Sequence, residues 1–363
     1  MNNFYIDIHI IQTVPPSCIN RDDTGSPKTA VYGGKTRARV SSQAWKHAVR
    51  LMFRDIFDQE LLGDRTKRVT EMVVKHIKAV DSAIDDAKAE KLALDACKAA
   101  GISMDKKKEQ QSDVLMFISN AQAREIARLA VEKNNGADVS GNDFKAALRA
   151  RPSVDMALFG RMVASDPSLN YDAAAQVAHS ISTHTVHNEY DYFTAVDDLS
   201  PEDNAGAGHL GTVEYNSATL YRYATVNVNE LCKDLGNDIA VKTVKGFVGS
   251  LVRSMPTGKQ NTFANRTYPD YVYVTVRNDQ PANLSGAFEK PVTAKDEGYV
   301  KGSIEALSKY SGEVYKNYAS APAVSWDVGA SSIGAADEHV TFKELLDKLE
   351  TYMTQRLSET EVM

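Results

Sequence analysis

The chain has 363 residues, of which 43% are hydrophobic and 25% charged, so it can bury a sizeable core and form more than one lobe. It has no apolar run as long as a membrane span, no secretory-signal pattern at its start, and three distant cysteines that support neither disulfides nor a zinc site. We therefore expect a cytoplasmic protein without a membrane partner, and the formal net charge of −6 argues mildly against nucleic acid as a partner.

The first predicted element is a strand from Phe4 to Gln12, with one apolar face and one mixed face. This alternation is typical of an antiparallel sheet that is covered on one side. Pro15 and Pro16 end the strand, and a loop with the sequence Asn-Arg-Asp-Asp-Thr-Gly follows at positions 20–25.

The stretch from Thr24 to Arg54 contains no acidic residue. Its basic residues are Lys28, Lys35, Arg37, Arg39, Lys46, Arg50 and Arg54. In an acidic protein, such a window predicts an anion-binding surface, and chance clustering on a solvated surface is the alternative.

A helix is predicted from Ser41 or Ser42 to about Phe57, because apolar residues recur there at helical spacing. Lys46 and Arg50 lie one turn apart beside this apolar stripe. Either serine can cap the helix, and no capping box is present, so the first-turn amides are expected to face an external anion.

Residues 58–172 are rich in Ala, Lys, Asp and Glu and predict a helical insertion into a sheet domain. Sheet patterns return afterwards. The predicted elements are a loose strand over 154–162, a helix over 171–182, a strand over 220–228, a helix from about 237, a strand over 271–277, and helices over 304–318 and 342–353. Their order favours an α+β fold with a ferredoxin-like split βαβ core.

The segment from Phe193 to Ala218 has no core pattern and is long for a loop between strands. Long loops in compact domains are usually functional or disordered. Since strand-like residues flank this segment on both sides, we expect a protruding hairpin.

No common catalytic motif is present, so we expect no enzyme, cofactor or metal. The histidines His179, His184 and His187 resemble a metal-binding spacing, but structural or surface roles are favoured because no further Cys or carboxylate ligand accompanies them. Asp22 and Asp197 each precede a second aspartate and could hold a divalent ion, although turn formation is the commoner role of such pairs.

An RNA-binding interpretation explains more of these residues. Phosphates are contacted by cations on loops, by hydroxyl and amide groups at the start of a helix, and by cations one or two turns later in the helix. The candidates on this basis are Arg21, Lys28, Ser41, Ser42, Gln43, Lys46 and Arg50.

Several ordered motifs strongly resemble the CasC-type (Cse-four) backbone subunit of the type I-E CRISPR Cascade complex. They are Asn20-Arg-Asp-Asp23, Gly33-Gly-Lys35 followed by Arg37, Arg39 and Ser41-Ser-Gln43, Gly160-Arg-Met162, Phe193-Thr-Ala-Val-Asp-Asp-Leu199, His209-Leu-Gly-Thr212, Tyr221-Arg-Tyr-Ala224 and Ala287-Phe-Glu-Lys290. Each motif alone is weak, but together and in this order they are specific. Residues 58–150 show little match.

The resemblance implies a modified ferredoxin-like, RNA-recognition-motif palm with a helical fingers insertion and a β-hairpin thumb. The implied boundaries are palm 1–57, fingers 58–172, palm 173–192, thumb 193–218, and palm with C-terminal helices 219–363.

The resemblance also implies that copies assemble head to tail along a guide RNA, which they present for pairing with target DNA in antiviral defence. The other implied partners are the Cascade large subunit, small subunit, guide 5′-end cap subunit and guide-processing endoribonuclease. The residues implied to hold guide phosphates are Arg21, Lys28, Ser41, Gln43, Lys46 and Arg50. His47, Arg161 and Thr194 would also bind the RNA. Met162 and Phe193 would be apolar wedges at a kink in the guide. The contact of His47 would depend on pH.

Two other functions stay open at this point. Related backbone subunits in other CRISPR types cut RNA with an aspartate, so a metal-dependent endoribonuclease using Asp22 or Asp197 is the first alternative. A protein–protein adaptor without nucleic acid is the second.

Overall fold

A computed structural model describes residues 3–108, 110–163, 166–195, 209–294, 296–330, 332 and 336–361. Its contacts divide the chain into two compact units. The sheet unit comprises Met1–Val49, Val177–Thr225 and Val248–Leu349, and the helical unit comprises Arg50–Gln176, Val226–Phe247 and Glu350–Met363. Among the described helices, none is both long enough and apolar enough to cross a membrane.

The strands are β1 (Tyr5–Ser17), β2 (Thr29–Tyr32), β3 (Lys35–Val40), β4 (Gly63–Thr66), β5 (Met116–Ser119), β6 (Ala175–Val177), β7 (Ser180–Ser182), β8 (Glu189–Ala195), β9 (His209–Asn227), β10 (Tyr271–Arg277), β11 (Val324–Gly329) and β12 (Glu338–His339). The helices are α1 (Ser42–Phe53), α2 (Val69–Val80), α3 (Asp86–Ala99), α4 (Asn120–Asn134), α5 (Gly141–Arg149), α6 (Val154–Phe159), α7 (Val228–Leu235), α8 (Asn237–Arg253), α9 (Gln260–Phe263), α10 (Val300–Asn317) and α11 (Phe342–Glu361). Short 3-10 turns lie at Gln59–Leu61, Pro167–Leu169 and Leu284–Phe288.

The sheet unit is built on one large, mostly antiparallel sheet. Its strand order is β12-β11-β10-β1-β9-β7-β3-β2, and β8 pairs with β9 outside this path. The central pair β1–β10 runs in register from Tyr5 opposite Arg277 to Ile11 opposite Tyr271. The α+β fold class expected from the sequence is confirmed.

Helices cover both faces of this sheet. On one face, the Arg222 guanidinium of β9 lies 3.6 Å from the ring centre of Trp45 in α1. On the other face, Tyr221 packs in one cluster with Ile304 and Leu307 of α10. Since successive strand residues point to opposite faces, α1 and α10 lie on opposite sides of the sheet. The expectation that β1 is covered on one side only is therefore wrong.

The second face of β1 is buried even though it carries polar residues. Asp7 accepts hydrogen bonds from the Tyr223 hydroxyl at 3.0 Å and the Ala282 amide at 2.8 Å, and burial raises its pKa. His9 lies 2.9 Å from the Tyr221 hydroxyl, and burial lowers its pKa to about 3. Hydrogen-bond partners make the burial of such groups tolerable.

The helical unit has its own core around the two-stranded β4–β5 sheet and helices α2 to α5. The core is rich in alanine, and Ala93, Ala123 and Ala127 are fully buried. Small side chains let helices approach closely. The start of α4 is fixed by a capping box between Ser119 and Gln122.

Several sequence-based element assignments differ from the structure, and one of them is the end of β1, which continues through Pro15 and Pro16 to Ser17. Residues 154–162, expected as a strand, contain the short helix α6, which Ser153 caps and Gly160 ends at φ +75°. Because all of α6 is buried, its sequence is a short and mostly apolar run of the kind that a buried strand also has. Residues 171–182, expected as a helix, contain β6 and β7, since pairing with β9 overrides local propensity. Helix α1 ends at Phe53, not near Phe57.

An antiparallel strand pair flanks the segment that was predicted as a hairpin. Glu189 to Ala195 of β8 pairs with Tyr215 back to His209 of β9. Residues 196–208, including Asp197, lie outside the described residues.

Candidate nucleic-acid interface

The loop between β1 and β2 is fixed to the start of α1. The side-chain oxygen of Asn20 accepts a hydrogen bond from the Ser41 amide at 2.8 Å, and the Asn20 carbonyl accepts one from the Lys28 amide at 2.9 Å. The Arg39 amide in turn donates to the Lys28 carbonyl at 2.9 Å. Two segments that are separate in sequence therefore meet at one place.

The tip of this loop is organised by Asp22. Its Oδ1 accepts hydrogen bonds from the Thr24 amide at 3.0 Å, the Thr24 hydroxyl at 2.7 Å and the Ser26 amide at 3.0 Å. These donors, led by the Thr24 hydroxyl, lower the pKa of Asp22. The carboxylate forms the turn, while the neighbouring Arg21 side chain is exposed to solvent.

A cationic cluster lies beside the loop, at the β3–β7 pair. Arg39 Nη1 is 3.1 Å from His179 Nδ1, and Arg39 Nε donates to the Thr29 carbonyl at 3.1 Å. Burial and the charges of Arg39 and Lys28 lower the pKa of His179, because both effects disfavour the charged imidazole. Neither Arg39 nor His179 was among the predicted RNA-binding residues, although Arg39 falls in the acid-free window.

Helix α1 presents three predicted residues on one face. Gln43 and His47 are exposed, and Lys46 is half-buried. They are three and four residues apart and therefore share this face, and the first turn of α1 has no acidic residue. Ser41 has the capping role that the sequence allowed for it, and its side chain is not exposed as a phosphate ligand would be. It is only 6% exposed and its hydroxyl accepts from the Ala44 amide at 3.4 Å, so it caps the helix.

Arg50 does not offer a free guanidinium to a phosphate. Its Nε donates to the buried Asp155 carboxylate at 2.9 Å, and its Nη2 donates to the Gly63 carbonyl at 3.2 Å. The guanidinium also lies 4.6 Å from the ring centre of Phe117. We therefore correct the prediction for Arg50, because these contacts hold the helical unit together.

Arg161 is also an internal residue of the helical unit, and its prediction is corrected as well. It is 4% exposed and donates to the carbonyls of Leu169 at 2.9 Å and Leu148 at 3.0 Å. Burial lowers its pKa to about 10. The adjacent Met162, by contrast, is 86% exposed, as an apolar wedge would require.

The hairpin places Phe193 and Thr194 on opposite faces. The Phe193 ring lies over Gly211, where an added Cβ would be 2.6 Å from a ring carbon, so a larger residue at position 211 would displace the ring. Thr194 is exposed and pairs with Leu210. On the Thr194 face, Tyr190 and Tyr192 are also largely exposed, and neither tyrosine was predicted from the sequence as a site residue.

The suggested histidine metal spacing is not realised. His184 uses both ring nitrogens within the protein, accepting from the Thr219 amide at 3.1 Å and donating to the Thr185 carbonyl at 2.9 Å. Its ring stacks on Tyr299 with centroids 3.6 Å apart. Across the described ranges, no three His, Cys, Asp or Glu side chains are grouped as a metal site.

Comparison with known proteins supplies an independent view of the chain. The family model described as "CT1975-like protein" matches residues 6–352. A chain of a solved structure titled "CRISPR RNA-guided surveillance complex, pre-nicking" is 31% identical, with a TM-score of 0.83 over 96% of this chain and 100% of that chain. A chain of a second structure, titled "CRISPR RNA-guided surveillance complex", is 29% identical, with a TM-score of 0.63 over 96% and 99%. No significant match was found among curated proteins.

Proposed function

The chain belongs to the CT1975-like protein family, and we propose that it is a guide-RNA-binding backbone subunit of a CRISPR surveillance complex of type I-E. Its similarity to chains of two RNA-guided surveillance complexes supports this role, because the match extends over nearly all of both chains. In this proposal several copies assemble head to tail along the guide with the other Cascade subunits.

The observation that carries the proposal is the junction between the Asn20–Lys28 loop and the start of α1. It joins Arg21, Lys28 and Arg39 to a helix that presents Gln43 and Lys46. Guanidinium, ammonium and amide groups placed in this way bind a sugar–phosphate chain without reading its bases. The net charge of −6 does not oppose such binding, because the acid-free window makes the basic surface local.

The exposed apolar residues fit the same role. We assign Met162 and Phe193 as wedges against the guide and Thr194 as a hairpin contact, while base pairing of the guide selects the target DNA. The subunit itself is non-catalytic in this proposal. The Asp22 carboxylate supports this view, since it already accepts three hydrogen bonds from its own turn.

RNA copurification tests the proposal. The full chain expressed with its partner subunits is expected to retain RNA of one defined length, and an Arg21→Ala, Lys46→Ala double variant is expected to retain less of it. The control is Lys309→Ala on α10, which lies on the opposite side of the sheet from α1. A complex without nucleic acid would favour the adaptor alternative and contradict the proposal.

A cleavage assay on the same complex tests the non-catalytic part. Complementary RNA incubated with magnesium is expected to stay intact. Regularly spaced cuts that Asp22→Ala or Asp197→Ala abolishes would establish a ribonuclease instead.

A further inference from the structure

A second loop of the sheet unit packs against the loop that carries Arg21. It follows α8 and has the sequence Pro-Thr-Gly-Lys-Gln-Asn at positions 256–261. An added Cβ at Gly258 would lie 2.6 Å from the Ile19 carbonyl carbon and 3.0 Å from the Cys18 oxygen. The two loops therefore meet backbone to backbone, and only glycine at position 258 permits this approach.

The residue after this contact, Lys259, has an unusual backbone conformation. Its φ of 49° and ψ of 25° are left-handed, and so is Ala264 at φ 47°, at the other end of the single turn α9. Residues with a Cβ adopt this conformation at an energetic cost, and they persist in it where the surrounding structure imposes it. The contact at Gly258 supplies such a constraint, which sets the position of Lys259 relative to the Arg21 loop.

The charges of Lys259 and Arg21 both influence the pKa of the Cys18 thiol. Burial raises the pKa of the Cys18 thiol, and the charges of Arg21 and Lys259 both oppose this increase. The charges of Asp22 and Glu214 also act on this thiol, and they raise its pKa. In the described part of the chain, neither Arg21 nor Lys259 forms an ion pair, and Lys259 is only half-buried. Two cations more than two hundred residues apart in sequence are thus carried by loops that contact each other, and within the described residues neither is compensated by a salt bridge.

We propose that Lys259 is a further phosphate ligand of the guide RNA and that it grips the same stretch of backbone as Arg21. This inference rests on the proposed function and extends its binding surface to a segment outside the acid-free window. The exposed Gln260 and Asn261 follow Lys259 and provide amide donors of the kind that contact phosphate and ribose oxygens.

The test is the salt dependence of RNA binding by the full chain. A labelled single-stranded RNA is titrated by fluorescence anisotropy at several salt concentrations with the wild type and with the variants Lys259→Ala, Lys259→Gly, Lys259→Arg, Arg21→Ala and Lys309→Ala. Lys259→Gly removes the charge but tolerates the left-handed backbone, so it separates loss of the cation from loss of the loop conformation.

Removal of one phosphate-binding cation is expected to lower the slope of log affinity against log salt by about 0.7. Lys259→Ala and Lys259→Gly should both show this decrease, as should Arg21→Ala, while Lys259→Arg and Lys309→Ala keep the wild-type slope. A wild-type slope for both Lys259→Ala and Lys259→Gly beside a decreased slope for Arg21→Ala would overturn the inference and leave the proposed function standing. A wild type that does not bind RNA would overturn both.

Discussion

Neighbouring cations on one helix have different roles in this protein. Lys46 and Arg50 are one turn apart on α1 and are equivalent in a helical pattern. Arg50 nevertheless pairs with Asp155, which is 105 residues further along the chain. Local spacing cannot reveal a partner at that distance in the chain, so the sequence predicted a basic ridge that includes Arg50, whereas the structure places Arg50 in an internal ion pair.

We predict that Arg50→Ala destabilises the protein by about 3 kcal/mol, because it leaves the Asp155 carboxylate buried without its partner. Lys46→Ala is the matched control and should change the free energy of unfolding by less than about 0.5 kcal/mol. Urea unfolding of the free chain measures both values. An Arg50→Ala protein as stable as the wild type, but with weakened RNA binding, would return Arg50 to the phosphate-binding set.

At the scale of elements, the β2–β3 turn shows how two adjacent glycines can differ. Gly33 and Gly34 have φ values of 57° and 71°, as expected for the two central residues of a tight hairpin turn. An added Cβ at Gly33 would overlap the backbone of Glu289, with the carbonyl carbon only 2.8 Å away, whereas at Gly34 it would meet no atom within 4 Å.

Gly34→Ala is therefore expected to lower the free energy of unfolding by about 1 kcal/mol, the cost of a left-handed residue with a Cβ. Gly33→Ala should lower it by about 3 kcal/mol, since the Glu289 backbone must also move. Denaturant unfolding of the two variants provides the comparison. Equal decreases in the free energy of unfolding would contradict the expectation that the close approach of Gly33 and Glu289 adds to the cost of a Cβ at position 33.

Elements with strong periodicity were predictable, and those defined by distant pairing were not. The strand Tyr271–Arg277 was predicted with its observed bounds, and the helix that starts at Asn237 was expected there. Residues 171–182 were assigned to a helix, although the backbone of Ser180–Ser182 pairs with β3 and β9. That pairing depends on strands far away in sequence, which a local pattern does not contain.

At the scale of the whole molecule, the helical unit is assembled from more of the chain than a single insertion. The sequence predicted residues 58–172, whereas the unit also takes Val226–Phe247 and Glu350–Met363. Parts of α8 and α11 thus belong to the helical unit, although the hydrophobic periodicity of these helices does not show this. The contact between the Ser41 amide and the Asn20 side chain, which brings the loop before the acid-free window to the start of α1, also joins segments that a local pattern cannot connect.

The central claim is that this basic surface binds the RNA backbone regardless of base sequence. The most direct measurement is the salt dependence of affinity for two single-stranded RNAs of unrelated sequence, with the wild type and an Arg21→Ala, Lys28→Ala double variant. We expect the wild-type slopes to agree for the two RNAs and the double variant to lower both by about 1.4, the value for two phosphate contacts. Unchanged slopes in the double variant, or a decrease confined to one RNA sequence, would contradict the account.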